Sequence, residues 1–203
     1  MLFIETIRVF NRKVENIAYH NARLRRTRQA HGFDKSAWLL EDLIEIPEEI
    51  EAQQVYKCRV TYGEKMERVE FEPYQIRPIQ RLQLVQSDAI EYAFKYANRL
   101  ALAQLATHKQ ADEILIVKNG LVTDTSYTNL ALYDGSHWVT PSKPLLQGTR
   151  RQQLLDAHFL QEADIRPADL ADFQQIKLIN AMMTWEESPS VFSVIDADGK
   201  TCW

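Results

Sequence analysis

Residues 112–130 read DEILIVKNGLVTDTSYTNL. The run DEILIV at 112–117 is short, apolar and flanked by polar residues, the mark of a buried strand. Asn119-Gly120 is the dipeptide of a tight hairpin turn. LVTDTSYTNL continues extended beyond it, and a second turn is expected at Asp134-Gly135. Strands joined by so few residues run antiparallel, so the sheets are antiparallel or mixed rather than doubly wound.

The same grammar recurs upstream. VYKCRVTYGEKMERVEFEPY at 55–74 reads as a hairpin turning at Gly63. Tyr56, Cys58, Val60 and Tyr62 form its more apolar face, and Val55, Lys57, Arg59 and Thr61 the other. LFIETIRVF at 2–10 reads as a strand, with Asn11-Arg12 turning into a second strand at 13–19. A helix opens at Asn16 or Tyr19 and runs to residue 31, with Gly32 as its stop. IRPIQRLQLVQ at 76–86 is a further strand, at an edge or bent at Pro78. Residues 98–110, rich in Ala and Leu, predict a helix, as does TRRQQLLDAHFL at 149–160. DIRPADL at 164–170 predicts a strand and short turn, and QIKLIN at 175–180 a strand. The fold class is α+β in two domains: a smaller α+β domain over 1–88 and a larger, mostly β domain with short helices over 89–203.

Composition excludes several classes. A net charge of -4 leaves no electrostatic case for nucleic acid, and the helix bearing Arg23, Arg25, Arg26 and Arg28 has no interleaved aromatics, so its arginines read as a solvated face. The two cysteines, Cys58 and Cys202, make neither a disulfide framework nor a metal or redox pair, so no metal is expected and a reducing cytoplasm fits. The start, MLFIETIRVFNRK, lacks the pattern of a signal peptide, and no apolar run reaches the roughly 20 residues of a membrane span.

Four features carry chemistry together, though each alone is ordinary. Lys95 sits in FKYA, within a largely apolar and aromatic stretch; a lysine held partly dry has a neutral amine able to form a Schiff base. Asp124 lies in an extended run after the Asn-Gly turn, where a carboxylate can hold a protonated heterocyclic nitrogen. Gly148-Thr149 precedes a helix, whose open N–H groups and threonine hydroxyl suit a phosphate. Arg23 can offer a fork of donors to phosphate oxygens, while His20, three residues before it on the same helical face, reads as a packing histidine.

The order of these pieces is more specific than any one of them. HNARL, then KYANRL, then DEILIVKNGLVTDTSYTNL, then TPSKPLLQGTRR resembles the class IV aminotransferase family, the fold-type IV pyridoxal phosphate (PLP) enzymes, over residues 3–183. The motifs are closest to its aminodeoxychorismate lyase and D-amino-acid aminotransferase branch. The resemblance implies a D-amino-acid aminotransferase-like two-domain fold, PLP as cofactor, a small amino-bearing substrate and a homodimer. It implies Lys95 as the Schiff-base lysine and proton shuttle, with Arg23, Gly148 and Thr149 holding the phosphate. Asp124 falls where the family has glutamate opposite the pyridine nitrogen. Asn129 falls on the family's asparagine in the strand just after, and Asn180, Ala181 and Met182 on a second loop at the phosphate. The expected activity is aminotransferase-type, with lyase-like elimination or a catalytically degenerate PLP-binding module as alternatives. Arg8, Arg59, Arg99 and Arg150 are the candidates for a substrate carboxylate. Two departures stand out: the chain begins almost at the IETIRV strand, and the arginine-glycine-rich loop of the lyase branch is replaced by TYGEKM. Substrate binding is thus where this chain is expected to differ most from its family.

Overall fold

The computed structural model describes residues 1–33 and 38–203. They divide into two units: Met1–Ile76 with Phe94–Asn98 and Ala181–Met183, and Arg77–Ala93 with Arg99–Asn180 and Thr184–Trp203. Among the described residues, no helix is long and apolar enough to cross a membrane.

Unit 1 contains β1 (Phe3–Phe10), β2 (Lys13–Val14), α1 (Ile17–Ala30), α2 (Leu40–Leu43), β3 (Tyr56–Tyr62) and β4 (Met66–Pro73), in an antiparallel sheet ordered β2-β1-β3-β4. Alternation sorts the two faces of the sheet. Phe3, Ile7 and Val9 of β1 and Cys58, Val60 and Tyr62 of β3 cluster with Leu24 of α1 in the core. Asn11 and Arg12 turn with φ of 49° and 56°, and the Arg12 guanidinium secures that backbone by donating to the carbonyls of Pro47, Glu48 and Ile50 at 3.0 Å each. The second strand is shorter than the 13–19 expected, because Asn16 adopts φ 57° and α1 begins behind it. The arginine run on α1 also divides. Arg25 and Arg26 are exposed, but Arg23 and Arg28 are buried. Arg28 donates to the Glu64 carbonyl at 2.9 Å and lies 3.6 Å over the Trp38 ring.

The segment 94–98 joins unit 1 as an extra strand-like piece beside β1. Tyr96 bridges Phe3, the Ile4 N–H donates to the Lys95 carbonyl at 2.9 Å, and the Ala97 N–H donates to the Leu2 carbonyl at 2.9 Å.

Unit 2 contains β5 (Arg81–Gln86), α3 (Leu100–Leu105), β6 (Glu113–Lys118), β7 (Leu121–Thr125), β8 (Asn129–Tyr133), β9 (Trp138–Pro141), α4 (Thr149–Asp156), β10 (Leu160–Ala163), a 3-10 helix (Pro167–Asp172), β11 (Gln175–Ile179), β12 (Ser190–Val191) and β13 (Ser193–Ile195). Its sheets are ordered β13-β5-β6-β7 and β10-β9-β8-β11-β12. Both mix parallel and antiparallel pairs. Leu82, Leu115 and Val122 of the first sheet share one core with Leu130, Leu132, Ile176 and Leu178 of the second. The hairpin expected at Asn119-Gly120 forms between β6 and β7, with φ of 51° at Asn119 and 77° at Gly120.

Three boundaries differ from the sequence reading. Residues 77–88 belong to unit 2, because β5 pairs with β6 and β13. The helix expected over 98–110 is reduced to α3, and the Thr107 hydroxyl bonds back to the Ala103 carbonyl at 3.2 Å just beyond its end. The strand expected at 164–170 falls earlier, at β10; Pro167 instead starts the 3-10 helix, where its missing N–H costs nothing. The chain end is tied down: the Trp203 indole N–H donates to the Phe173 carbonyl at 2.7 Å.

Candidate active site

Of the residues singled out in the sequence, unit 1 carries Lys95, Arg23, Ala181 and Met182, and unit 2 carries Asp124, Asn129, Gly148, Thr149 and Asn180.

In unit 1 the central feature is a carboxylate that the sequence reading passed over. Glu5 lies on the apolar phase of β1, between Phe3 and Ile7, and is fully buried. Arg23 grips it with two bonds, Nε to Oε1 at 2.9 Å and Nη2 to Oε2 at 2.6 Å, and His20 Nδ1 meets Oε2 at 2.5 Å. Burial raises the Glu5 pKa. The Arg23 charge and the hydrogen bonds from His20 and Arg23 outweigh it and bring the pKa down to about 2. Glu5 is therefore a carboxylate that can only accept, and the His20 Nδ1–H donates to it. Burial also lowers the His20 pKa against the pull of Glu5, and the charges of Arg23 and Lys95 lower it further, so the ring is neutral. His20 is thus a structural histidine, as expected, and two of the three nitrogens of Arg23 are committed to Glu5.

Lys95 lies close to this network through β1: its carbonyl is bonded to Ile4, next to Glu5. Phe94 and Tyr96 point into the aromatic cluster around Phe3, with ring centroids 6.4 and 5.3 Å from it. Strand alternation sets Lys95, between them, on the opposite face, and it is half-buried there.

In unit 2 the geometry centres on Asp124 of β7. It is buried, its Oδ1 accepts from Asn129 Nδ2 at 2.8 Å, and its Oδ2 accepts from the Leu146 N–H at 2.9 Å. The same Asn129 amide donates to the Leu146 carbonyl at 2.9 Å, which fixes its orientation. Burial pushes the Asp124 carboxyl up to about 7, against the opposing effects of the Leu146 N–H, Asn129, the Arg151 charge and the Leu145 N–H. No cation among the described residues lies within ion-pair distance of it.

Gly148 caps α4 and completes this cluster. A Cβ there would stand 2.0 Å from Asn129 Oδ1, so only glycine lets the loop approach that closely. Thr149 is buried as the first residue of α4. Asn180 directly follows β11, with Ala181 and Met182 next in the chain. The structure thus joins Asp124, Asn129 and Gly148 around the Leu146 backbone. The sequence offered no sign of Leu146, since its part is played by main-chain groups.

The family model for amino-transferase class IV matches residues 2–186. An uncharacterized protein from Haemophilus influenzae is 38% identical over 182 residues, which are 88% of this chain and 96% of the relative. A crystal structure of a candidate 4-amino-4-deoxychorismate lyase from Haemophilus somnus superposes with a TM-score of 0.83 at 31% identity, covering 89% of this chain and 96% of that one. An aminotransferase from Brucella abortus, solved with PLP bound, has a TM-score of 0.70 at 16% identity, covering 98% of this chain and 82% of that one, a likeness of fold alone.

Proposed function

The chain belongs to the class IV aminotransferase family, and on that premise we propose that it binds PLP through Lys95 and transfers the amino group of a small amino acid or related amine. The observation that carries this reading is Asp124. A buried carboxyl with two donors in place and, among the described residues, no cation at ion-pair distance is matched by a ligand that brings a protonated ring nitrogen. Gly148 supports the reading, since the space a Cβ would fill is needed by the Asn129 that orients Asp124.

When bound, PLP supplies the aldehyde that Lys95 captures and the electron-poor ring that accepts the electron pair left at the substrate Cα. The residues do the rest. Asp124 would keep a proton on the ring nitrogen, and Asn129 and the Leu146 N–H hold that carboxyl in place. Lys95 Nζ, as a free amine beside the substrate Cα, would accept the Cα proton and could return it to the carbon on the far side of the substrate nitrogen. Gly148, Thr149 and Arg23 serve the phosphate, with Asn180, Ala181 and Met182 on the second phosphate loop. We further read the protein as a cytoplasmic homodimer; its two free thiols fit a reducing compartment, and the family resemblance supports the dimer.

A second reading is elimination. It is favoured by the Haemophilus somnus structure, 31% identical and described as a candidate lyase. The TYGEKM turn, which has no arginine, weighs against it. Offering a panel of L- and D-amino acids to the PLP-loaded protein separates the readings. A keto acid formed together with pyridoxamine phosphate is expected. A keto acid released while the cofactor stays in its aldehyde form supports elimination, and an unchanged cofactor spectrum with every amine refutes both.

A further inference from the structure

We propose that Arg59 is the residue that anchors the substrate carboxylate, so that the substrate is an amino acid rather than a simple amine. The inference rests on the assignment of Lys95 as the cofactor lysine.

Strand register places Arg59 relative to Lys95. Lys95 stands opposite Ile4, because Tyr96 pairs with Phe3 and the Ile4 N–H binds the Lys95 carbonyl. Ile4 stands opposite Thr61, and Thr6 opposite Arg59. Residues directly opposite one another share a face, so Lys95, Thr61, Thr6 and Arg59 all lie on the face turned away from α1. Two strand spacings and two residues along the strand put the Lys95 and Arg59 Cα atoms about 12 Å apart. Side chains that stand off one face of a sheet keep their head groups about as far apart as their Cα atoms, which leaves room for a small amino acid between amine and guanidinium.

Arg59 stands opposite Glu70 and its charge helps to lower the Glu72 pKa, yet among the described residues neither carboxylate holds its guanidinium. Arg8 donates Nε to Glu15 at 3.2 Å, Lys57 pairs with Glu72, and Arg68 pairs with Glu70 at 2.9 Å. Arg59 makes no hydrogen bond or ion pair among the described residues, and its Nε is buried without a partner. A buried donor left unmatched is costly, and a carboxylate accepting from the planar guanidinium satisfies it. The other candidates fare less well. Arg99 donates to the Ser126 carbonyl at 2.7 Å. Arg150 also keeps a buried Nε without a partner, but its Nη1 is held by Gln153 at 2.5 Å.

The test compares the PLP-loaded wild type with Arg59→Met and Arg59→Lys, using the best amino acid of the panel and the amine made by removing its carboxylate. Arg59→Met should raise KM for the amino acid by about 10- to 100-fold, leave KM for the amine unchanged, and be partly rescued by Arg59→Lys. Binding of 4-methylvalerate, an inert carboxylate followed by the shift of the cofactor absorbance, should weaken in parallel. If Arg59→Met loses amino acid and amine equally, or neither, or if Arg59→Met does not fold and Arg59→Gln gives either of those results, the inference is overturned while the cofactor assignment stands. If the wild type carries no PLP on Lys95, the assignment on which it rests has failed instead.

Discussion

Asp124 gives the account its sharpest thermodynamic consequence. Its pKa stands at about 7 in the folded cofactor-free protein, against 3.8 for an ordinary aspartate. A carboxyl with a raised pKa binds its proton more tightly folded than unfolded, so it favours the fold fully at low pH. That contribution is lost as pH climbs from about 4 to about 7. At about 1.4 kcal/mol per pH unit, the full loss is about 4 kcal/mol, of which about 3 kcal/mol falls between pH 5 and pH 8. The perturbation is Asp124→Asn, which keeps the shape and removes the titration. An asparagine amide faces either Asn129 Nδ2 or the Leu146 N–H with a donor, so the variant also carries an offset of about 1–3 kcal/mol that does not vary with pH. The assay is urea unfolding of both cofactor-free proteins from pH 5 to 8. From pH 5 to pH 8 the wild type should lose about 3 kcal/mol of stability relative to the variant. With PLP bound, the ring-nitrogen proton favours the carboxylate, and the slope should flatten. Parallel curves for the two cofactor-free proteins would refute the reasoning, because they would show an Asp124 that titrates like any exposed aspartate.

Two further outcomes follow from the geometry. Gly148→Ala places a Cβ 2.0 Å from Asn129 Oδ1; it should destabilise the protein by about 1–3 kcal/mol in urea unfolding and weaken PLP binding, because Asn129 must move off Asp124. Glu5→Gln leaves Arg23 buried without its counter-charge and should cost about 3–5 kcal/mol by the same assay, whereas wild type should lose about 3 kcal/mol of Glu5 stabilisation only as pH falls from 4.5 toward 2.

The sequence made some of this plain and hid the rest for physical reasons. Strands and turns with local signals were legible: the period-2 pattern at 55–62, the Asn-Gly turn at 119–120, and the glycine before α4. Lys95 and Asp124 emerged only from the order of several motifs, because a lysine beside aromatics or an aspartate in an extended run is ordinary alone. Glu5 was overlooked although a signal was present: it is the one charged residue on the apolar phase of β1, where Phe3, Ile7 and Val9 are all buried. Its partners on α1 then show why the arginine run is not a uniform solvated face. The parallel pairing of β13 with β5 joins residues over a hundred positions apart, and no local pattern encodes it. Likewise Leu146 acts through its backbone, which leaves no trace in side-chain chemistry.

The most direct test of the central claim is to load the purified protein with PLP, reduce it with borohydride, digest it and locate the pyridoxyl group by mass spectrometry. The account predicts a yellow protein whose absorbance band is abolished by reduction, with the label on the peptide that contains Lys95 and no label in Lys95→Ala. A protein that takes up no PLP, or one labelled at another lysine with Lys95→Ala unaffected, would contradict it.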